Sequence, residues 1–213
     1  MDIIPSINCP GLSAVHHKLH VLESFLKPGD WIHIDVEDGQ FTFAKTWGDP
    51  TEFANMRLPY KTEVHLMVRN PEKNTQDWLS AGANRLILHT EALDTAKFIK
   101  ISEIAKRYHA EIMIATNPET HKAEYRPYFN AVHHFQVLSV HPGPAGQQFL
   151  PLTMDKVKYL KEKAPHAKIE VDGGIDVETG KIAKKAGADI LVSANFVLSA
   201  KHPPLAYKKL KEL

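Results

Sequence analysis

The chain has 213 residues, 43% of them hydrophobic and 24% charged, which is the balance of a globular protein and excludes disordered or collagen-like character. Lys and Arg number 26 against 25 Asp and Glu, a formal charge of +1, so there is no basic excess for nucleic acid and no acidic tail. One cysteine, Cys9, makes no internal disulfide; no run reaches the roughly 18 to 20 apolar residues of a membrane span, and Met1–Pro5 is not the start of a signal peptide, so the expectation is a cytoplasmic protein of one domain over 1–213.

In chain order, short β-like runs alternate with helical patterns. Ile3–Ile7 reads as a strand and Leu12–Leu26 as a helix, with a turn at Pro28-Gly29-Asp30. Trp31–Val36 is a second strand, followed by an irregular segment through Trp47 and a short helix over Thr51–Met56 with Asp49 placed to cap it. Glu63–Val68 is a strand, and Pro71 suits the first turn of a helix reaching Ala81. Arg85–Leu88 and Glu111–Ala115 are strands on either side of a helix over Asp94–Tyr108. Asn117–Tyr128 reads as a short helix broken by Pro127, and Phe135–Val140 as a sixth strand. A Pro/Gly-rich loop over His141–Gln148 leads to a helix over Leu152–Lys163. Lys168–Val171, a helix over Glu178–Ala186, Asp189–Ser193 and a closing helix over Pro204–Leu213 complete the chain.

Eight strands alternating with about eight helices predict parallel βαβ units, closed into an α/β (β/α)8 barrel shorter than the usual ~250 residues. The rival, an open doubly wound sheet, lacks its G-x-G-x-x-G turn after the first strand.

In a barrel the chemistry gathers at the C-terminal strand ends, and several of these are polar here. His33 and Asp35 share one face of strand two, because side chains alternate along a strand. His65 stands on strand three, and Asp172 ends strand seven. Taken singly, each reads as an ordinary hydrogen-bonded residue. Together, two imidazoles and two carboxylates from three strand ends form a mixed set suited to one divalent ion such as Zn, Fe, Mn or Co. Glycines after strands six and seven (Gly143, Gly146, Gly173, Gly174), with Ala194 and Asn195 after strand eight, let main-chain N–H groups approach an anion; ordinary tight turns are the alternative.

The ordered set H-x-D, then H-L-M-V, then V-D-G-G resembles the ribulose-phosphate 3-epimerase family nearly end to end. Further matches are Ile4-Pro5-Ser6-Ile7, Asn70-Pro71-Glu72, Ala81-Gly82-Ala83, His141-Pro142-Gly143, Gly146-Gln147 and Ala186-Gly187-Ala188-Asp189. The resemblance implies a metal-dependent isomerase of carbohydrate metabolism, converting D-ribulose 5-phosphate to D-xylulose 5-phosphate in the pentose phosphate pathway by 1,1-proton transfer through an enediolate. It implies His33, Asp35, His65 and Asp172 as metal ligands, Asp35 and Asp172 also as the acid/base pair, and Ser6 and His65 against the substrate. Gly143, Pro144, Ala145, Gly146, Gly173, Gly174, Ala194 and Asn195 would hold substrate and phosphate. The implied partner is a sugar phosphate, with no nucleic acid or membrane, in a homo-oligomer.

The chain departs from the family pattern around the pocket. The usual D-V-M-D-G reads Asp35-Val36-Glu37-Asp38-Gly39, and F-V-P-N reads Phe41-Thr42-Phe43-Ala44. A strand-six methionine becomes Leu138, the lid F-G-G-Q becomes Pro144-Ala145-Gly146-Gln147, and the phosphate-loop G-S becomes Ala194-Asn195. Glu37 shares parity with Asp35 and is the specificity candidate, with a contact to a substrate hydroxyl, a pairing with Lys45, a side chain turned away from the site, or a solvated loop position as its possible environments. These changes leave open an epimerase of another pentulose or hexulose phosphate, or a non-catalytic sugar-phosphate-binding paralogue.

Overall fold

The computed structural model describes residues 1–213. Its strands are β1 (Asp2–Ile7), β2 (Trp31–Glu37), β3 (Lys61–Met67), β4 (Arg85–His89), β5 (Glu111–Thr116), β6 (His134–Leu138), β7 (Lys168–Asp172) and β8 (Ile190–Ser193). They pair in parallel in chain order, and β8 closes on β1, giving the (β/α)8 barrel. The α-helices are α1 (Leu12–Leu22), α2 (Pro50–Met56), α3 (Pro71–Ser80), α4 (Thr95–Arg107), α5 (Met154–Lys163), α6 (Val177–Ala186), α7 (Asn195–Leu198) and α8 (Pro203–Lys211). No helix is long and apolar enough to cross a membrane.

Strand parity divides the molecule into an apolar shell and a polar interior. Ile32, Ile34 and Val36 of β2, Val64 and Leu66 of β3, and Ile169 and Val171 of β7 belong to one cluster of 44 buried residues between sheet and helices. At ~1.5–3 kcal/mol per buried large aliphatic side chain, this shell dominates the stability. The opposite parity is polar: His33, Asp35, Glu63, His65, Arg85, Gln136, Glu170 and Asp172 are all buried. Burial of such groups is unfavourable unless each finds partners, and the register supplies them. His33 lies beside Glu63, Glu63 beside Arg85, and Arg85 beside Glu111, one row across four strands. Asp35 lies beside His65 in another row.

Local chemistry sets the element ends. Asp49 accepts from the main-chain N–H groups of Thr51 and Glu52, capping α2 as expected. Asp176 and Thr179 form a capping box at α6, which stops at Gly187 with φ of 109°.

The differences from the expected elements are also local. α1 ends at Leu22 rather than Leu26: the Ser24 hydroxyl donates to the Val21 carbonyl, and Phe25 bonds back to Leu22, tightening the last turn. The expected helix over Asn117–Tyr128 is a 3-10 helix over Lys122–Tyr128 that contains Pro127 instead of breaking at it, a residue with no N–H to donate. The helix expected from Leu152 begins with a 3-10 turn at Pro151–Thr153. β6 stops at Leu138, not Val140, where its last pairing partner is Asp172. β2 runs one residue further than expected, placing Glu37 in the ladder beside Met67. The segment after β8 contains the short helix α7.

Candidate active site and metal centre

The C-terminal strand ends open onto a cavity of about 230 Å³. Ser6, Asn8, Asp35, Met67, Leu138 and Asp172 line it from the barrel. Residues 141–147, Gly173, Gly174, Ala194 and Asn195 line it from the loops. His33 and His65 lie beneath the two aspartates with no exposed surface.

One ligand atom from each of His33, Asp35, His65 and Asp172 falls within 4.8 Å of all the others. His33 Nε2 and His65 Nδ1 each stand 3.1 Å from Asp35 Oδ1. Asp172 Oδ2 is 3.4 Å from His65 Nδ1 and 3.9 Å from His33 Nε2. Burial alone would push both histidines down, but the surrounding carboxylates hold them up, His33 well above its ordinary value. Burial would likewise raise Asp35, and the two imidazoles instead hold it below the usual carboxylate range. The carboxylates thus favour positive charge between them. Two oxygens and two imidazole nitrogens, converging from β2, β3 and β7, fit a borderline divalent ion in ligand type, number and charge.

Groups outside this quartet orient it. Glu63 Oε1 is 2.8 Å from His33 Nδ1. Burial would raise the Glu63 carboxyl, but His33 and Arg85 keep it low, so it accepts from the Nδ1–H and leaves Nε2 facing the cavity. Arg85 donates to the other Glu63 oxygen at 2.7 Å and to Glu111. Glu170 is pushed well up by burial and by the Glu63 charge, and Gln136 donates to it at 3.0 Å. His65 turns its Nε2 to His89 Nε2 at 2.7 Å, and the two rings are nearly parallel, meeting edge to edge with centroids 4.9 Å apart. Ser6 donates to Asp35 Oδ2 at 2.8 Å, so its hydroxyl proton is directed to that carboxylate.

Glu37 takes neither the solvated loop position nor the pairing with Lys45. It is 2% exposed, so it is no solvated loop carboxylate. Thr42 donates to its Oε2 at 2.8 Å and Asn8 to its Oε1 at 3.1 Å, whereas Lys45 meets the backbone of Asp38 instead. Burial raises its carboxyl against these two hydrogen bonds.

The loop residues bring main-chain donors to the cavity wall. The N–H groups of Gly146, Gly174, Ala194 and Asn195 donate to no backbone carbonyl outside the regular elements. Gly174 has φ of +66°, and a Cβ there would fall 2.7 Å from the Phe149 nitrogen, so only glycine fits. Ala194 has a negative φ of −93°, so its backbone does not call for glycine. Asn195 packs on the lid: a Cβ at Gly146 would stand 2.5 Å from its Nδ2.

Comparison with known proteins decides the family. The family model described as "Ribulose-phosphate 3 epimerase family" matches residues 3–198. The chain belongs to this family. A ribulose-phosphate 3-epimerase of Chlamydia trachomatis is 34% identical over 91% of this chain and 84% of its own length. One of Schizosaccharomyces pombe is 35% identical over 82% and 77%. Among solved structures, 3-hexulose-6-phosphate synthase from Salmonella typhimurium superposes with a TM-score of 0.76 at 13% identity, covering 100% of this chain and 97% of that one, a likeness of fold alone. The chain is therefore an isomerase-type enzyme of the ribulose-phosphate 3-epimerase family.

Sequence reasoning missed Asn8, Glu63, His89, Gln136 and Glu170. Parity carried a signal for Glu63 and Glu170, two residues before His65 and Asp172 on the same strands. Asn8 lies just past β1, where no periodicity marks it.

Proposed function

We propose that the enzyme interconverts D-ribulose 5-phosphate and D-xylulose 5-phosphate, with Asp35 and Asp172 as the proton-transfer pair. The observation that carries this reading is the placement of these two carboxylates, from β2 and β7, on one small cavity that is also lined by loop residues whose N–H groups have no backbone partner. Epimerisation next to a ketone takes the C3 proton from one face and returns one to the other. A single base reaches one face, so two carboxylates on different strands meet the requirement. Proton removal leaves an enediolate, and Met67 and Leu138 on the cavity wall limit the water that would quench it.

His33, Asp35, His65 and Asp172 would hold one divalent ion, Zn, Fe, Mn or Co. Such an ion supplies positive charge that offsets negative charge on the reacting oxygens. Ser6 holds Asp35 by its 2.8 Å hydrogen bond and so aims one of the two proton carriers. Gly146, Gly173, Gly174, Ala194 and Asn195 would bind the phosphate, with Gly143, Pro144 and Ala145 covering the sugar; binding remote from C3 fixes the reacting carbon between the carboxylates.

The test is an epimerase assay on a panel of ketose 5- and 6-phosphates, with and without chelator. Turnover of D-ribulose 5-phosphate that chelation removes and added metal restores is the expected result. Turnover only of a hexulose phosphate would reassign the substrate, and turnover indifferent to chelation would remove the ion.

A further inference from the structure

Asn8 touches three acceptors with one end of its side chain. Its Nδ2 is 3.1 Å from Glu37 Oε1, 3.4 Å from Asp35 Oδ2 and 3.4 Å from the Gly143 carbonyl. Three acceptors around one end admit only the NH2 group there, which settles the orientation of the amide. The other end, Oδ1, receives a hydrogen bond from no protein donor, while the residue lines the cavity. Glu37 in turn accepts from Asn8 on one oxygen and from the Thr42 hydroxyl, 2.8 Å away, on the other, and at 2% exposure it is not among the residues that line the cavity. Glu37 therefore does not meet the substrate itself. It holds Asn8 from behind.

We infer that Asn8 is a specificity-determining residue whose Oδ1 accepts a hydrogen bond from the substrate hydroxyl next to the reacting carbon, held in that orientation by Glu37 and Thr42. The reading rests on the proposed epimerase function. The hydroxyl follows from position. Asn8 adjoins Asp35, which works on C3, and the C3 hydroxyl belongs to the reaction itself, so the neighbouring group is the C4 hydroxyl. Glu37 and Thr42 stand where the family pattern has methionine and valine. An apolar pair offers Asn8 no partner, so the polar contact to the sugar and the two polar replacements form one unit. A site that hydrogen-bonds a hydroxyl discriminates strongly against an analogue that lacks it.

The experiment compares D-ribulose 5-phosphate with the 4-deoxy pentulose 5-phosphate, following C3 proton exchange with D2O by NMR. The wild-type enzyme should prefer the hydroxylated sugar in kcat/KM by roughly tenfold or more. Asn8→Ala also removes the 3.4 Å contact to Asp35 Oδ2, so it should lower kcat/KM for both sugars, but more for the hydroxylated one, so that the preference collapses. Glu37→Leu should reproduce the collapse with Asn8 still in place, and Glu37→Gln, which keeps an acceptor for the Asn8 amide, should retain the preference. Glu37→Leu carries the test alone should Asn8→Ala not fold. Equal losses on both sugars, or a preference that survives both Asn8→Ala and Glu37→Leu, would make Asn8 a purely structural residue and overturn the inference. A wild-type enzyme that exchanges neither sugar, with any metal, would refute the epimerase reading itself, and that outcome is separate because it appears before any substitution is made.

Discussion

Glu63 accepts a 2.8 Å hydrogen bond from His33 on the face of the imidazole opposite Asp35. This pairing makes Glu63 the group that decides which nitrogen His33 offers to the cavity. Carboxylates behind a ligating histidine orient the ring and raise its basicity, and their loss weakens metal affinity by roughly 10- to 100-fold. Glu63→Gln should therefore weaken binding of a divalent ion by about tenfold or more, measured by competition with a chromogenic chelator. Unchanged affinity would mean that His33 is oriented by its other contacts.

Arg85 is the second consequence of the same row. Its side chain is 5% exposed, it donates to Glu63 at 2.7 Å and its guanidinium carbon lies 4.3 Å over the Trp31 ring. Removing it strands a buried carboxylate. Arg85→Leu should destabilise the fold by about 3–5 kcal/mol, the usual consequence of leaving one member of a buried pair unpartnered. In urea the midpoint should fall with little change in slope. Replacing both partners, Arg85→Leu with Glu63→Leu, should recover much of that stability. A single variant with the wild-type midpoint would show that Glu63 finds its charge balance elsewhere.

Lys156 predicts a pH dependence unrelated to the cavity. It is 7% exposed, and its ammonium donates to Thr116 Oγ1 at 3.1 Å and to the Asn117 carbonyl. Burial pushes its pKa down to about 8, only partly opposed by Glu91 and Glu119. Unfolded, a lysine titrates near ~10.4. Between these values the unfolded chain binds the extra proton, so stability from this group rises with pH across about 8 to 10. Relative to Lys156→Met, the wild-type protein should gain about 1–3 kcal/mol between pH 7.5 and pH 10. Parallel urea curves at the two pH values, with a constant difference between the proteins, would contradict this.

The barrel was legible because alternation along each strand writes both faces at once. Ile32, Ile34 and Val36 mark the helix-facing side of β2, and His33 and Asp35 mark the interior. The quartet was legible for the same reason, with family resemblance supplying the roles. The supporting groups were less so. In the sequence Glu63 marks only the start of a strand, because a lone glutamate there says nothing until register places it beside His33 and Arg85. The partners of Glu37 are not legible in the sequence, because they are not periodic. Thr42 returns from the loop after β2 and Asn8 from the end of β1, contacts made by chain direction rather than by spacing.

The two-base reading makes the sharpest demand. Asp35 and Asp172 are each nearly buried yet both line the cavity, and in the proposed mechanism each serves a different face of C3. Substituting asparagine at either position removes a proton carrier while preserving shape. Asp35→Asn and Asp172→Asn should each lower epimerisation by about 10²-fold or more, the usual worth of a positioned acid or base. Both residues also belong to the proposed metal set, so loss of activity alone does not separate the roles; metal content must be measured in the same samples. With metal present, each variant keeps one base. In D2O it should therefore exchange the C3 proton of one epimer only, and the two variants should choose opposite epimers between D-ribulose and D-xylulose 5-phosphate. An asparagine variant that epimerises at close to the wild-type rate would remove that residue from the pair. A metal-loaded variant that exchanges the C3 proton of both epimers would mean that the surviving carboxylate reaches both faces of the shared enediolate, and the division of labour between β2 and β7 would have to be abandoned.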